Sequence, residues 1–203
     1  MDSDSGGRPA ITGRDRSSVW DFLPLKQCRG EAAFTKCPHL TMSIEQDRLA
    51  CHVTIPNGIK GVLRRNLLDG GRDAFVDLIL GVQKNMNHAL HSVQGAVPSM
   101  YIVQRRYQTQ SSEPIVDARL EFDLRTAFSG SVRRHADITV KSQAQWLQTV
   151  YEVFSSKQSN LQLGVGAVFP YDRCKAVGTP EILDCMEAVW LACRPLIQRI
   201  FKT

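Results

Sequence analysis

Between residues 40 and 55 hydrophobic and polar positions alternate twice over. Leu40, Met42 and Ile44 oppose Thr41, Ser43 and Glu45, then Leu49, Cys51, Val53 and Ile55 oppose Ala50, His52 and Thr54. A period of two marks a strand with one buried face, and the Gln46-Asp47-Arg48 connection is of hairpin length. Pro56-Asn57-Gly58 closes the unit as a turn. The period then changes. Ile59, Val62, Leu63 and Leu67 recur at helical spacing, Asp69-Gly70-Gly71 interrupts, and Phe75, Leu78, Ile79, Val82, Met86, Ala89, Leu90 and Val93 resume it. Glycine costs about 1 kcal/mol in a helix interior, so the pattern predicts a short helix, a break, and a long helix over about 72–92.

A second hairpin follows, with strands expected over 100–108 and 115–125. In the latter, Val116, Ala118, Leu120, Phe122 and Leu124 oppose Asp117, Arg119, Glu121, Asp123 and Arg125. Placing Tyr101, Val103 and Tyr107 on the apolar face sets Arg106 opposite Asp117 and Gln104 opposite Arg119; one buried face specifies such a register strongly. Residues 126–141 lack a period and read as a loop with a short strand at 138–140. Ser142 is placed to cap a helix on which Leu147, Val150, Tyr151 and Phe154 share a face. Leu161 to Phe169 is a further strand, with Leu163, Val165 and Ala167 inward. Thr179-Pro180-Glu181 then opens a helix with a hydroxyl cap, a proline in the first turn and an acid at the positive dipole end. Its stripe runs through Leu183, Met186, Val189, Trp190, Cys193, Ile197, Ile200 and Phe201, and Pro195 should kink or split it.

The order ββ-α-ββ-α-β-α implies an α+β fold. Its expected form is a roughly five-stranded antiparallel sheet with helices packed on one face, a two-layer sandwich. Residues 1–18 are polar and read as a disordered tail. Val19 to Leu25 reads as an extended segment or single turn stopped by Pro24. The ordered body is thus expected as one α+β domain over 19–203.

Composition narrows the classes. With 203 residues, 43% of them hydrophobic, the chain can bury a core without a disulfide or metal staple. It carries 25 Lys+Arg against 20 Asp+Glu, a net charge of +5 that mildly favours an acidic partner. No apolar run approaches the ~18 residues of a membrane span, and residues 1–18 hold no signal-peptide core. The six cysteines then read as reduced thiols and the expected compartment is cytoplasmic. Walker loops, dinucleotide fingerprints, nucleophile elbows and zinc-protease helices are absent from the sequence.

The charged strand carries the strongest candidate chemistry. Same-face neighbours on a strand lie about 6.8 Å apart, so Asp117, Glu121 and Asp123 could hold a divalent cation as nuclease carboxylates do. The plainer reading is a ladder of alternating charges pairing across the hairpin. Cys28, Cys37, His39, Cys51 and His52 raise the question of zinc, but their spacing fits no common knuckle, and Cys51 and His52 point to opposite strand faces. Neither a metal nor a cofactor is expected from them. His88, His91 and His135 are paired with no nucleophile by sequence. Gly164 and Gly166 share a strand face and invite close approach of a loop or partner. Three adjacent arginine pairs stand out: Arg64-Arg65, Arg105-Arg106 and Arg133-Arg134.

These features support a non-enzymatic binding or accessory domain. It would engage nucleic-acid phosphates or an acidic protein partner through an open polar sheet face and Arg105, Arg106, Arg119, Arg125, Arg133 and Arg134. The alternative is a metal-dependent nuclease or hydrolase built on Asp117, Glu121 and Asp123. Residue types alone do not decide between enzyme and binding module, and they do not fix an oligomeric state.

Overall fold

The computed structural model describes residues 18–28, 36–59, 61–105, 116–127, 144–156 and 161–202. Six strands form one antiparallel sheet: β1 (Ser18–Pro24), β2 (His39–Glu45), β3 (Arg48–Ile55), β4 (Val97–Arg105), β5 (Val116–Asp123) and β6 (Leu161–Pro170). Their spatial order is β1-β2-β3-β6-β4-β5. The two expected hairpins, β2–β3 and β4–β5, are present, and β6 lies between their inner strands. The segment from Val19 turns out to be a strand, which pairs with β2 and adds a sixth strand at the edge. Its terminal Pro24 is tolerated there because an edge strand does not need every N–H.

The helices are α1 (Gly61–Leu68), α2 (Gly71–Ala89), the single turn α3 (Leu124–Ala127), α4 (Ala144–Ser155), α5 (Glu181–Ala192) and α6 (Arg194–Ile200). They form the second layer, as the α+β reading required. The break between α1 and α2 falls at Gly70 and Gly71, whose φ values of 80° and 81° are costly for any residue with a Cβ. The last helical stripe splits at Cys193, with Pro195 in the first turn of α6, where its missing N–H is harmless.

Between the layers lies the main core. Phe75, Ile79, Val82 and Met86 of α2, Leu147, Val150 and Phe154 of α4, Val189 of α5 and Leu196 and Ile200 of α6 are all buried. They meet Cys51, Val53 and Ile55 of β3, Met100 and Ile102 of β4, and Leu163, Val165, Ala167 and Phe169 of β6. Arg64 joins two helices: its Nε donates to the Phe154 carbonyl at 3.0 Å, and its guanidinium sits 5.2 Å from the Phe154 ring centroid. It thereby satisfies carbonyls that the end of α4 leaves without helical partners. One member of the first arginine pair is therefore structural.

Three local expectations are corrected. The β4–β5 register is one residue off: Gln104 pairs with Ala118 and Val103 with Arg119. Tyr101 and Val103 therefore share a face with Glu121 and Arg119, while Met100 and Ile102 join Phe122 and Leu120 on the helix side. Strand β4 is buried on both faces, so its own pattern could not declare which face meets the helices. The second strand ends at Asp123 rather than Arg125, because the Asp123 carboxylate accepts the backbone N–H of Arg125 at 2.8 Å and starts the helical turn α3. Thr179 does not cap α5; its hydroxyl donates backward to the Ala176 carbonyl at 3.1 Å. The tail before residue 18, Tyr107, the short strand at 138–140, His135 and Ser142 lie outside the described residues.

All six cysteines are buried free thiols. Burial raises the pKa of Cys51 well above its ordinary value and pushes Cys193 up to about 12. The thiolate is the reactive form. A native sample should accordingly release almost no colour with a thiol-specific aromatic disulfide, and six equivalents on unfolding. Rapid native reaction of even one thiol would place that cysteine outside the core.

Candidate functional site

The sheet face opposite the helices begins at β6. Gly164 and Gly166 contribute no side chains there, and β3 and β4 lie two strand spacings apart, about 9–10 Å. Their side chains meet over the glycines. His52 and Ser99, both opposite Gly166, come together with His52 Nε2 2.9 Å from Ser99 Oγ. Thr54 and Tyr101, both opposite Gly164, share a hydrogen bond of 2.9 Å between hydroxyls. Gln162 donates to the Tyr101 hydroxyl at 3.1 Å, and Thr41 bonds Thr54 from β2. The Tyr101 ring packs edge-on to His52, with centroids 4.9 Å apart. His52, Thr54, Ser99 and Tyr101 are all buried, so the middle of this face is a closed polar network rather than a solvated surface. The close approach that the glycines invited is made by Tyr101 of the neighbouring strand: a Cβ on Gly164 would overlap its ring.

Toward the end of the sheet bearing the β2–β3 turn, the face opens into a cleft of about 690 Å³. Its floor holds Val97, Ser99 and Val168. One wall is the β2–β3 turn with Asp47 and the turn after β6 with Asp172 and Arg173. The two turns are tied by the Tyr171 N–H, which donates to the Asp47 carbonyl at 3.0 Å, and by the Tyr171 hydroxyl, which donates to the Glu45 carbonyl at 3.1 Å. Across the cleft stand Glu121 and Asp123 of β5 with Arg125.

Arg48 spans the two sides. Its Nη atoms donate to both oxygens of Glu121 at 2.8 and 2.9 Å, and its Nε donates to Glu45 at 2.8 Å. This is the fork geometry that makes arginine–carboxylate pairs strong. Partial burial would lower the Arg48 pKa, but the bonds to Glu45 and Glu121 outweigh it and hold it above the ordinary value. Arg125 is bound to Asp123 at 2.9 Å through Nη2, which raises its pKa in the same sense, and reaches the Ala96 carbonyl at 3.4 Å. Burial, then the charges of Asp47 and Glu45, push up the pKa of Tyr171.

The residues singled out by sequence are thus separated. Glu121, Asp123 and Arg125 line the cleft. The backbone places Arg119 opposite Val103, and Arg105 opposite Val116 across a bulge; the side chains of Arg105, Asp117 and Arg119 are outside the described atoms. Arg106, Arg133 and Arg134 lie outside the described residues altogether. Among the described residues, no group of three or more His, Cys, Asp or Glu is placed to hold a metal ion. Cys51 packs in the core and His52 lies on the other sheet face, and His39 Nδ1 lies 3.0 Å from the Cys37 carbonyl oxygen. Among the described residues, no helix is long and apolar enough to cross a membrane.

Sequence reasoning missed Arg48, Asp47, Ser99 and the turn Tyr171–Arg173. The signal for Arg48 was its position just after the hairpin turn, three residues from Glu45. The others come together only through the placement of β6. Comparison of the chain with protein families, with curated proteins and with solved structures finds no match in any of the three.

The Arg48–Glu121 pair joins strands on opposite sides of β6, with side chains 22% and 25% exposed. A double-mutant cycle on Arg48→Met and Glu121→Gln should return a coupling of about 1–2 kcal/mol in urea denaturation. Additive effects would show that the cleft walls are held by the sheet alone.

Proposed function

We propose that this chain is a non-enzymatic binding domain whose contact surface is the open end of the polar sheet face and the arginine-bearing β4–β5 hairpin at its edge. The observation that carries the reading is the commitment of the β5 carboxylates: Glu121 is forked onto Arg48 and Asp123 onto Arg125. Loading a divalent cation onto these two carboxylates would mean stripping both from guanidiniums. An ion-paired wall is suited to holding a partner in register instead. β5 is the outermost strand on its side, so the backbone position of Arg119 stands at an edge within reach of an extended polyanion, and Arg105 ends the neighbouring strand β4. Nucleic-acid phosphates fit that charge, and the excess of +5 over the whole chain steers such a partner toward the protein.

Fluorescence anisotropy against labelled single- and double-stranded DNA and RNA, over a salt series with and without magnesium, tests this directly. Binding should weaken steeply with salt and leave the strands intact. In Arg105→Ala/Arg106→Ala affinity should fall and the salt slope should flatten by about two, one for each phosphate no longer neutralised. Magnesium-dependent cleavage would overturn the reading in favour of a carboxylate hydrolase. Absence of binding would remove nucleic acid as the partner.

A further inference from the structure

We propose that the outer face of α5 docks a basic amphipathic helix of a partner protein. The two most exposed large hydrophobic residues among those described are Leu183 and Leu191, 66% and 60% exposed. They stand eight residues apart on one helix, so they share a face and lie about 12 Å apart along the axis. Glu187 sits between them on the same stripe, and Asp184 and Glu181 flank it, all three exposed. Cys185, Met186, Val189 and Ala192 hold the opposite side of the helix in the core. Trp190, seven residues beyond Leu183, packs partly against that core and borders the stripe. Two exposed leucines in helical register are the anchors that helix-on-helix docking uses, unlike apolar residues scattered singly over a surface.

The charge on this face names the occupant. α5 carries Glu181, Asp184 and Glu187, and no lysine, arginine or histidine to pair with them. Among the described residues none of the three is in a salt bridge. Glu181 and Asp184 also favour the positive end of the helix dipole, but that effect fades within the first turn and does not reach Glu187. An apolar stripe fenced by acids is complementary to apolar residues flanked by lysine or arginine. It repels nucleic-acid phosphates and anionic membranes, and it lies on the helical layer, across the sheet from the polar face. A second copy is disfavoured, because a two-fold contact through α5 would set the acids of one helix against the same acids of the other. Residues 1–17 of the chain itself balance Asp2, Asp4 and Asp15 with Arg8, Arg14 and Arg16, and so bring no matching charge.

Heteronuclear NMR titration of the whole chain tests this with two four-turn, end-blocked amphipathic peptides of one pattern, leucine with lysine and leucine with glutamate. The expected result is saturable amide shifts centred on residues 181–191 with the lysine peptide and none with the glutamate peptide. Leu183→Ser/Leu191→Ser should weaken binding about tenfold or more, through the apolar area no longer buried. Glu187→Gln should weaken it about threefold, and added salt should erase that difference. No saturable shifts, shifts centred elsewhere, equal binding of both peptides, or an affinity unchanged in the serine variant would overturn the inference. Self-association that those two serines abolish would overturn it as well, by giving the face to a second copy. Both leucines are exposed, so the variant should fold, and unchanged spectra away from α5 check this. The contact is separate from the polyanion surface, so the serine variant should bind nucleic acid as the wild type does, and failure of either reading leaves the other standing.

Discussion

Strand β6 is the member through which the two hairpins become one sheet, and its two glycines set how they join. From Leu161 to Pro170 every residue is buried except Gln162, which is partly so. On one face its large residues fill the core. On the other, Gly164 and Gly166 leave a trough shallow enough for β3 and β4 to bond each other across it, through His52–Ser99 and Thr54–Tyr101. Burying these polar groups without partners would cost several kcal/mol. The glycines therefore do more than permit close packing: they let polar residues from non-adjacent strands satisfy one another. The cleft inherits its shape from this arrangement, since Ser99 ends the network and floors the cleft at once.

Arginine does different work in different places. Arg64 closes the end of α4 against the core. Arg48 bridges the hairpins beneath the cleft, and Arg125 is folded back on the carboxylate that starts its own helical turn. In each case the charge is used inside the molecule. A basic composition thus overstates the positive charge that these three residues can offer a partner.

Most of the architecture could be read from local periodicity. The two hairpins, the Gly70-Gly71 break, the face of α4 and the split near Pro195 each follow from residues within a few positions of one another. What could not be read was non-local. Tyr101 and Val103 look like inward residues of a half-buried strand, yet β4 is buried on both faces, and the one-residue error in register followed. Likewise Glu121 and Asp123 were legible as a charged ladder, but one partner of Glu121, Arg48, is 73 residues away and meets it only because β6 is inserted between the hairpins. The candidate site was half visible: its β5 carboxylates Glu121 and Asp123 were found, and its floor, its opposite wall and the arginine that spans it were not.

The position of β6 also governs the order in which the molecule can be assembled. Both hairpins precede it in the chain, so during synthesis they emerge with the inner edges of β3 and β4 still unpaired. Those edges can close only when residues 161–170 arrive, and the pairings then formed span long stretches of sequence, which slows folding. Until that moment two hydrophobic strand edges are open to other chains. Dependence on a late central strand therefore leaves the nascent chain open to mispairing until residues 161–170 have been made.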